Sequence, residues 1–263
     1  MHNVKISILI ILLVGLFSCR DNGVVQTLPE IINNDVVNSV GKFDFLPSNT
    51  TGAVYRKRTY TLSYSEEHEQ AEWIAYILKA SDIKEVDFKR PYFEIDNNIL
   101  TGAAHWKNYK KSGYNKGHLC PAGDRRSNFK DYEETFLTSN ITPQKYDFNA
   151  GIWNRLEQKV RYWAKKQDSI YVVTGGVLTD DLETIGFENV AVPKYFYKVL
   201  LSKDHKKMIG FLLPHQDSKK PLYSFIKPVD EIEKMTGVDF FPSLEDDLES
   251  KLESDTNYDN WDF

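Results

Sequence analysis

The residues best suited to chemistry lie in a basic segment that runs from Lys107 to Lys130. Its basic residues are Lys107, Lys110, Lys111, Lys116, Arg125, Arg126 and Lys130, and its one acidic residue is Asp124, so the local charge is +6. The whole chain carries a net charge of −5, so a surface that binds polyanions must be local. Tyr109, Tyr114 and Phe129 are interleaved with these charges. Such a segment suits phosphates and stacked bases, although charge alone favours a solvated loop.

His118 is the candidate general base within this segment. It follows Gly117, where the backbone can bend and a substrate can approach closely. The surrounding cations lower the pKa of an imidazole and keep it neutral at neutral pH, as a base requires. A neutral histidine beside a phosphate can take a proton from an attacking water. A lone histidine is more often structural, and at this point that alternative stays open.

Asn149 is the candidate metal ligand. It begins a predicted helix over residues 149–166, whose apolar stripe is Ile152, Leu156, Val160 and Trp163. An asparagine in that place is either an N-cap or an oxygen ligand for a hard cation such as Mg²⁺. Glu157 lies about 12 Å further along the helix, so we expect it to orient water bound to the ion.

Three ordered motifs connect these residues. The first is Asn115-Lys116-Gly117-His118 with residues 121–125, the second is Ser139 to Gln144, and the third is Asn149 to Glu157. Together with stretches at 58–76, 171–176, 192–198 and 231–240, they resemble the DNA/RNA non-specific endonucleases of the ββα-metal fold. The resemblance covers roughly residues 55–242 and implies an α+β fold with a central antiparallel sheet flanked by helices.

The resemblance also implies an activity and a metal ion. It implies hydrolysis of DNA and RNA without sequence specificity, leaving 5′-phosphate ends. One Mg²⁺, or Mn²⁺ or another divalent ion, would be held by Asn149, with water at its other positions. His118 would activate the attacking water, and Glu157 would support water bound to the ion. Arg90, within Phe88-Lys89-Arg90-Pro91, would clamp the phosphate.

Four more residues are predicted to contact the substrate. The resemblance implies that Asn140 is a polar residue of the site. From the basic segment we expect Lys116, Arg125 and Arg126 to bind the nucleic acid. The predicted partners are therefore DNA and RNA, and the sequence leaves the oligomeric state open.

Two positions depart from the family pattern, which usually has Asp-Arg where this chain has Asn115-Lys116. Lysine keeps the positive charge but loses the planar fork of arginine, and asparagine loses an anion near His118. These changes keep open a catalytically weakened nucleic-acid-binding protein of the same fold. A phosphodiesterase of narrower substrate range is a second alternative. A hydrolase with Cys120 as nucleophile is a third, although a cysteine two residues from a histidine usually points elsewhere.

The first residues indicate export. An apolar run at residues 6–17 follows Lys5 and is too short for a comfortable membrane span. Its end, Leu16-Phe17-Ser18-Cys19, resembles a bacterial lipobox, and an ordinary cleaved signal peptide is the alternative. We expect a signal peptide over 1–19 and a lipidated Cys19 that attaches the exported protein to a bacterial membrane, facing the periplasm or the exterior. Cys120 then has no cysteine partner within the chain for a disulfide.

The rest of the chain divides into a tether at 20–50, a nuclease domain at 51–242 and an acidic tail at 243–263. We predict strands at 55–64, 136–141, 170–174, 195–201 and 208–213. We predict helices at 66–80, 149–166 and 226–236, the last capped by Gly237. The tail is expected to be solvated, and it could shield the basic segment as an autoinhibitor.

Overall fold

The computed structural model describes residues 43–263. The predicted signal peptide, the lipidated Cys19 and most of the predicted tether lie outside this range. Within it, no helix combines the length and the apolar character needed to cross a membrane.

The described residues form strands and α-helices in mixed order. The strands are β1 Ala53–Arg56, β2 Thr61–Ser65, β3 Gln70–Lys79, β4 Asn115–His118, β5 Ile141–Gln144, β6 Ser169–Gly176, β7 Thr184–Ile185, β8 Val190–Ala191, β9 Tyr195–Ser202, β10 Met208–Pro214 and β11 Ile226–Lys227. The α-helices are α1 Phe129–Glu134, α2 Tyr146–Phe148, α3 Asn154–Gln167, α4 Val229–Thr236 and α5 Asp246–Ser254. The strands predicted at 170–174, 195–201 and 208–213 correspond to β6, β9 and β10.

A seven-stranded antiparallel sheet separates two hydrophobic cores. Its order is β1-β2-β3-β6-β9-β10-β11. Along β3, Ile74 faces the core that contains Leu156 of α3, whereas Trp73 faces the core that contains Ile232 of α4 and Leu252 of α5. Alternate residues of one strand thus feed both cores, because successive side chains point to opposite faces. The predicted α+β class with a central antiparallel sheet flanked by helices is confirmed.

A smaller unit carries the chemically interesting residues. Strands β4 and β5 pair antiparallel, with His118 opposite Ile141, and the chain then enters the helical segment from α2 to α3. The Thr142 hydroxyl of β5 donates a hydrogen bond to the Gln70 side chain of β3 over 2.7 Å, which ties this unit to the main sheet. An added Cβ at Gly117 would overlap the Gln144 side chain, so the strand pair requires glycine there.

The prediction of a helix at 66–80 is wrong. Residues 70–79 form β3, and a turn precedes it in which Glu69 adopts a φ of 53°. The strand is buried on both faces, so its apolar residues run almost continuously and also match a helical spacing. The apolar pattern of this segment fits both a helix and a strand buried on both faces, and packing in the folded protein selects the strand.

The strand predicted at 136–141 begins later than expected. Residues 138–140 form a single helical turn, and β5 starts at Ile141 and includes Pro143. A proline fits a strand that pairs on one side, because its missing N–H group can face away from the partner. The strand predicted at 55–64 is a hairpin, β1 and β2.

Both ends of the described chain are more structured than predicted. Phe43, Phe45 and Leu46 pack against the α4–α5 core, so the ordered fold extends into the range assigned to the tether. At the other end α5 buries Leu252, and the buried Trp261 packs on Trp163 of α3 with ring centroids 5.1 Å apart. The acidic tail is therefore anchored to the fold by a few buried side chains, whereas most of its residues are exposed, as expected for a solvated segment.

Candidate active site

A cavity of about 840 Å³, open to solvent, lies between the end of β4, the segment 87–90 and the start of α3. The predicted site residues Arg90, His118, Arg126, Asn149 and Glu157 all line it. The chain thus brings together a histidine, an amide oxygen, a carboxylate and two cations from segments far apart in sequence.

His118 ends β4, and its ring packs against two phenylalanines. The ring centroid lies 4.9 Å from that of Phe136 and 5.5 Å from that of Phe93. Its Nε2 is buried and has no hydrogen-bond partner among residues 43–263. Burial, assisted by the nearby Arg90 cation, lowers the pKa of His118 to about 3. The imidazole is therefore neutral at neutral pH, as the sequence predicted for a base.

The same two rings support the cation beside the histidine. The guanidinium carbon of Arg90 lies 5.4 Å from the Phe136 centroid and 5.8 Å from the Phe93 centroid. The Lys116 ammonium lies 5.2 Å from the Phe93 centroid, although Lys116 is not among the residues that line the cavity. Burial and then Arg90 lower the pKa of Lys116. Phe93 and Phe136 therefore hold His118 and its neighbouring cations in one cluster.

Asn149 lies where α2 passes into α3 through one wide π-type turn, Asn149–Trp153. The turn departs from helical geometry at Gly151, whose ψ is −108°. Asp217, from the loop after β10, accepts a hydrogen bond from the Ile152 N–H over 2.9 Å, and an added Cβ at Gly151 would overlap this carboxylate. Such turns inside helices are frequent at functional sites. Here the turn determines the orientation of Asn149 relative to the cavity.

The donor set of the cavity fits a hard divalent cation. Asn149 and Glu157 contribute oxygen atoms to its wall. Among the described residues, the groups of three carboxylate or imidazole ligands lie elsewhere, so an ion at Asn149 would take most of its ligands from water. Mg²⁺ is commonly bound in that manner, through few protein oxygens and several waters.

Glu157 belongs to a charged network behind the cavity. Arg161 Nη1 lies 2.8 Å from an Asp124 oxygen and 3.9 Å from a Glu157 oxygen. Tyr76 donates a hydrogen bond to Asp124 over 3.0 Å. Burial raises the pKa of Glu157, and the Arg161 and Lys198 cations oppose that rise. The network fixes the Glu157 carboxylate at the cavity wall.

Lys198 is a buried cation of the same network. It lies in β9 with its ammonium 4.7 Å from the Trp153 ring centroid and 3.0 Å from the Thr174 hydroxyl. Burial lowers the pKa of Lys198, and the Glu157 carboxylate counteracts that effect. A charge this deeply buried requires such partners.

Two predicted substrate-binding residues are buried structural residues instead. Arg125 is 2% exposed, and its guanidinium donates to the carbonyls of Thr59 and Ile77. Asn140 is fully buried and joins the loop after β4 to the turn before β5. Its amide oxygen accepts from the Cys120 N–H and its amide nitrogen donates to the Cys120 carbonyl. Arg125 was assigned to the site because it belongs to the basic segment, and Asn140 because the family resemblance implied it. In the fold, both side chains instead bind backbone groups in the interior.

Cys120 is a free thiol in the core. Burial raises its pKa to about 12, so it remains protonated at neutral pH. This environment does not suit a nucleophile, and the alternative of a cysteine hydrolase receives no support.

Arg161, Lys198 and Asp217 were not predicted from the sequence. Arg161 could have been found, because it lies four residues after Glu157 on the same helix face. Lys198 also left a signal, since it is a single charge within an apolar strand. Asp217 lies in a polar loop, and its contact with the π-type turn leaves no local pattern.

Residues 43–247 match the family described as DNA/RNA non-specific endonuclease. This chain belongs to that family. The family segment contains both strands of the β4–β5 pair, the helical segment that follows and the seven-stranded sheet.

Several relatives are similar to this chain. Mitochondrial nuclease EXOG of Danio rerio is 34% identical over 78% of this chain and 65% of its own length, so the chain spans less than two thirds of that relative. Nuclease C1 of Cunninghamella echinulata is 32% identical over 79% of this chain and 90% of its own length. The crystal structure of the EndoG/EndoGI complex contains a chain with a TM-score of 0.69 and 32% identity, covering 76% of this chain and 89% of that chain. This structural similarity confirms the predicted nuclease fold.

Proposed function

We propose that this chain is a divalent-metal-dependent endonuclease that hydrolyses phosphodiester bonds of DNA and RNA without sequence specificity. The observation that carries the proposal is the cavity in which the imidazole of His118, the amide of Asn149 and the cation of Arg90 lie together; the His118 Nε2 has no hydrogen-bond partner within residues 43–263. Membership of the DNA/RNA non-specific endonuclease family supports it.

His118 acts as the base for the attacking water. In the free protein its pKa is low because it is buried beside Arg90. A bound phosphate dianion or diester brings negative charge to the same cavity, which raises an imidazole pKa. Substrate binding therefore makes His118 a stronger base at the moment when the proton must be taken.

The remaining groups bind and orient the phosphodiester. Arg90 and Arg126 line the cavity and can donate hydrogen bonds to phosphate oxygens. Both cations stabilise the additional negative charge that develops on phosphorus oxygens. Glu157 accepts hydrogen bonds from water near Asn149. A divalent cation at Asn149, Mg²⁺ or Mn²⁺ by its oxygen donors, would stabilise charge on the phosphate and the leaving 3′ oxygen.

Digestion of two substrates tests this activity. Supercoiled plasmid and total RNA are incubated with the full-length protein and Mg²⁺, and in parallel with EDTA. With Mg²⁺ we expect both substrates to be degraded to products with 5′-phosphate ends. With EDTA we expect both to remain intact. Binding of both nucleic acids without cleavage would contradict the proposal and favour the catalytically weakened binding protein.

We further propose that the protein is exported and held at a bacterial membrane by a lipid on Cys19. The apolar run at 6–17 and the Leu16-Phe17-Ser18-Cys19 sequence support this. The test is fractionation after labelling cells with a radioactive fatty acid, with Cys19→Ser beside the parent. Label in the parent and none in the variant is expected, and an unlabelled parent would contradict the proposal.

A further inference from the structure

Five carboxylates converge between α4, the segment that follows it, and α5. Asp230 and Glu233 lie on α4, Asp239 follows it, and Glu249 and Glu253 lie on α5. Oxygens of Asp239, Glu249 and Glu253 lie within 4.8 Å of one another, and so do those of Asp230, Glu233 and Glu253. Glu253 belongs to both groups. The helices pack on the opposite face of the sheet from α3, so this cluster is separate from the nuclease cavity.

Some buried oxygens of the cluster have no donor within the described part of the chain. Glu253 is 7% exposed, and the Oε1 atoms of both Glu253 and Glu249 are buried without a hydrogen-bond partner among residues 43–263. No ion pair between residues 43 and 263 involves any of the five carboxylates. A buried carboxylate oxygen that lacks both a donor and a cation is costly, so a missing partner is indicated.

Neighbouring groups hold other oxygens of the cluster in place. The Ser48 hydroxyl donates to Asp239 Oδ2 over 2.7 Å, and the Phe240 N–H donates to Glu233 Oε1 over 2.7 Å. Ser48 and Asp239 also pair through their backbones. The carboxylates of Glu249 and Glu253 therefore lie beside an Asp239 carboxylate whose position is already fixed.

Two partners could neutralise this cluster. One is the proton: burial, and then Glu233, raises the pKa of Glu253 to about 8. The other is a hard divalent cation, which displaces protons from the carboxylates that it binds. The convergence of three carboxylate side chains favours the cation, since one ion can contact all three carboxylates, whereas a shared proton bridges only two.

We propose that Asp239, Glu249 and Glu253 bind one divalent cation of the calcium class. Ca²⁺ prefers carboxylate oxygens at 2.3–2.6 Å and accepts six to eight ligands, so its opposite ligands lie roughly 4.6–5.2 Å apart. Oxygens of the three carboxylates lie within 4.8 Å of one another, so one ion of this size can contact all three. Asp230 and Glu233 add negative charge beside the ion. The bound ion links α5 to the segment after α4 and thereby stabilises the last part of the fold.

Calorimetric titration with CaCl₂ tests this site. The parent is the full-length protein carrying Asn149→Ala, which removes the candidate metal ligand of the nuclease cavity, after EDTA treatment and dialysis. We expect one Ca²⁺ per chain, affinity lowered roughly tenfold or more by Glu253→Gln and by Glu249→Gln, and unchanged affinity in Asp247→Asn. Asp247 is the matched control because it is an exposed carboxylate on the same helix.

Thermal unfolding separates loss of the site from loss of the fold. Without calcium, Glu253→Gln should unfold at the same or a higher temperature than the parent, because one repelling charge is removed. With calcium, the parent and Asp247→Asn should gain stability and Glu253→Gln should not. No calcium binding by the parent, or equal binding by Glu253→Gln, would overturn the proposal and leave the shared proton as the partner of the cluster.

Discussion

Arg125 and Arg126 are neighbours in the chain, yet their guanidinium groups lie in different environments. Arg125 is buried among the carbonyls of Thr59 and Ile77, whereas Arg126 lines the cavity that holds His118. Sequence analysis assigned both to substrate binding because both belong to the basic segment. Charge pattern identifies a basic segment, but the direction of each side chain depends on the packing of the loop after β4.

We expect different effects from replacing these two arginines by methionine: one variant loses stability and the other loses DNA affinity. Arg125→Met should lower the free energy of unfolding by about 3 kcal/mol, because buried carbonyls lose their donors and Asp82 loses its cation. Arg126→Met should change the free energy of unfolding by less than about 0.5 kcal/mol. It should weaken DNA binding, and the slope of log affinity against log salt concentration should be smaller by about one. Urea unfolding and fluorescence anisotropy measure the two effects. Equal loss of stability in both variants would contradict the assignment.

The elements differ in how well their sequence defines them. Strands β6, β9 and β10 were predictable because each is a compact apolar run, and α3 because its apolar residues follow one stripe. Strand β3 was predicted as a helix, because a strand buried on both faces lacks the alternation that distinguishes a strand. The π-type turn at Asn149 could not be predicted, since it depends on the distant Asp217.

Asp217→Ala should impair the metal dependence of cleavage. Without its carboxylate, the Ile152 N–H loses its acceptor and Asn149 loses the turn that orients it. We expect the Mg²⁺ concentration for half-maximal activity to rise about tenfold, with much of the maximal rate recovered at high Mg²⁺. Asp180→Ala, an exposed aspartate elsewhere, is the control. A lower maximal rate with unchanged Mg²⁺ dependence would contradict this positioning role.

At the scale of the whole molecule, the two sides of the sheet serve different purposes. The α3 side carries the nuclease cavity and buries Trp261, whereas the α4–α5 side buries Leu252 and packs residues from Phe43 onward. Sequence composition predicted a solvated tail because of its acidic residues, and missed that Leu252 and Trp261 occupy the core. Their packing gives no support to an autoinhibitory role for the tail.

Buried neutral histidines should make the fold sensitive to acid. Burial, and then Lys145, lowers the pKa of His215 to about 4, and its Nε2 accepts the Lys145 N–H. The unfolded chain binds a proton near pH 6.5, so stability is full above that pH and falls as pH drops toward 4. In His215→Gln, the slope of the free energy of unfolding against pH between pH 6 and 4.5 should be smaller by about 1.4 kcal/mol per pH unit. Urea unfolding at several pH values measures it, and parallel curves would contradict the neutral state of His215.

In the proposed mechanism His118 acts as the base while other groups hold the substrate. Single-turnover cleavage of a labelled DNA duplex by the parent and by His118→Ala tests it most directly, with the dissociation constant measured in EDTA for both. We predict a rate reduced by about 10²–10⁴ and an unchanged dissociation constant, because His118 moves a proton and the arginines bind phosphate. An unchanged rate, or a loss explained entirely by weaker binding, would contradict the account.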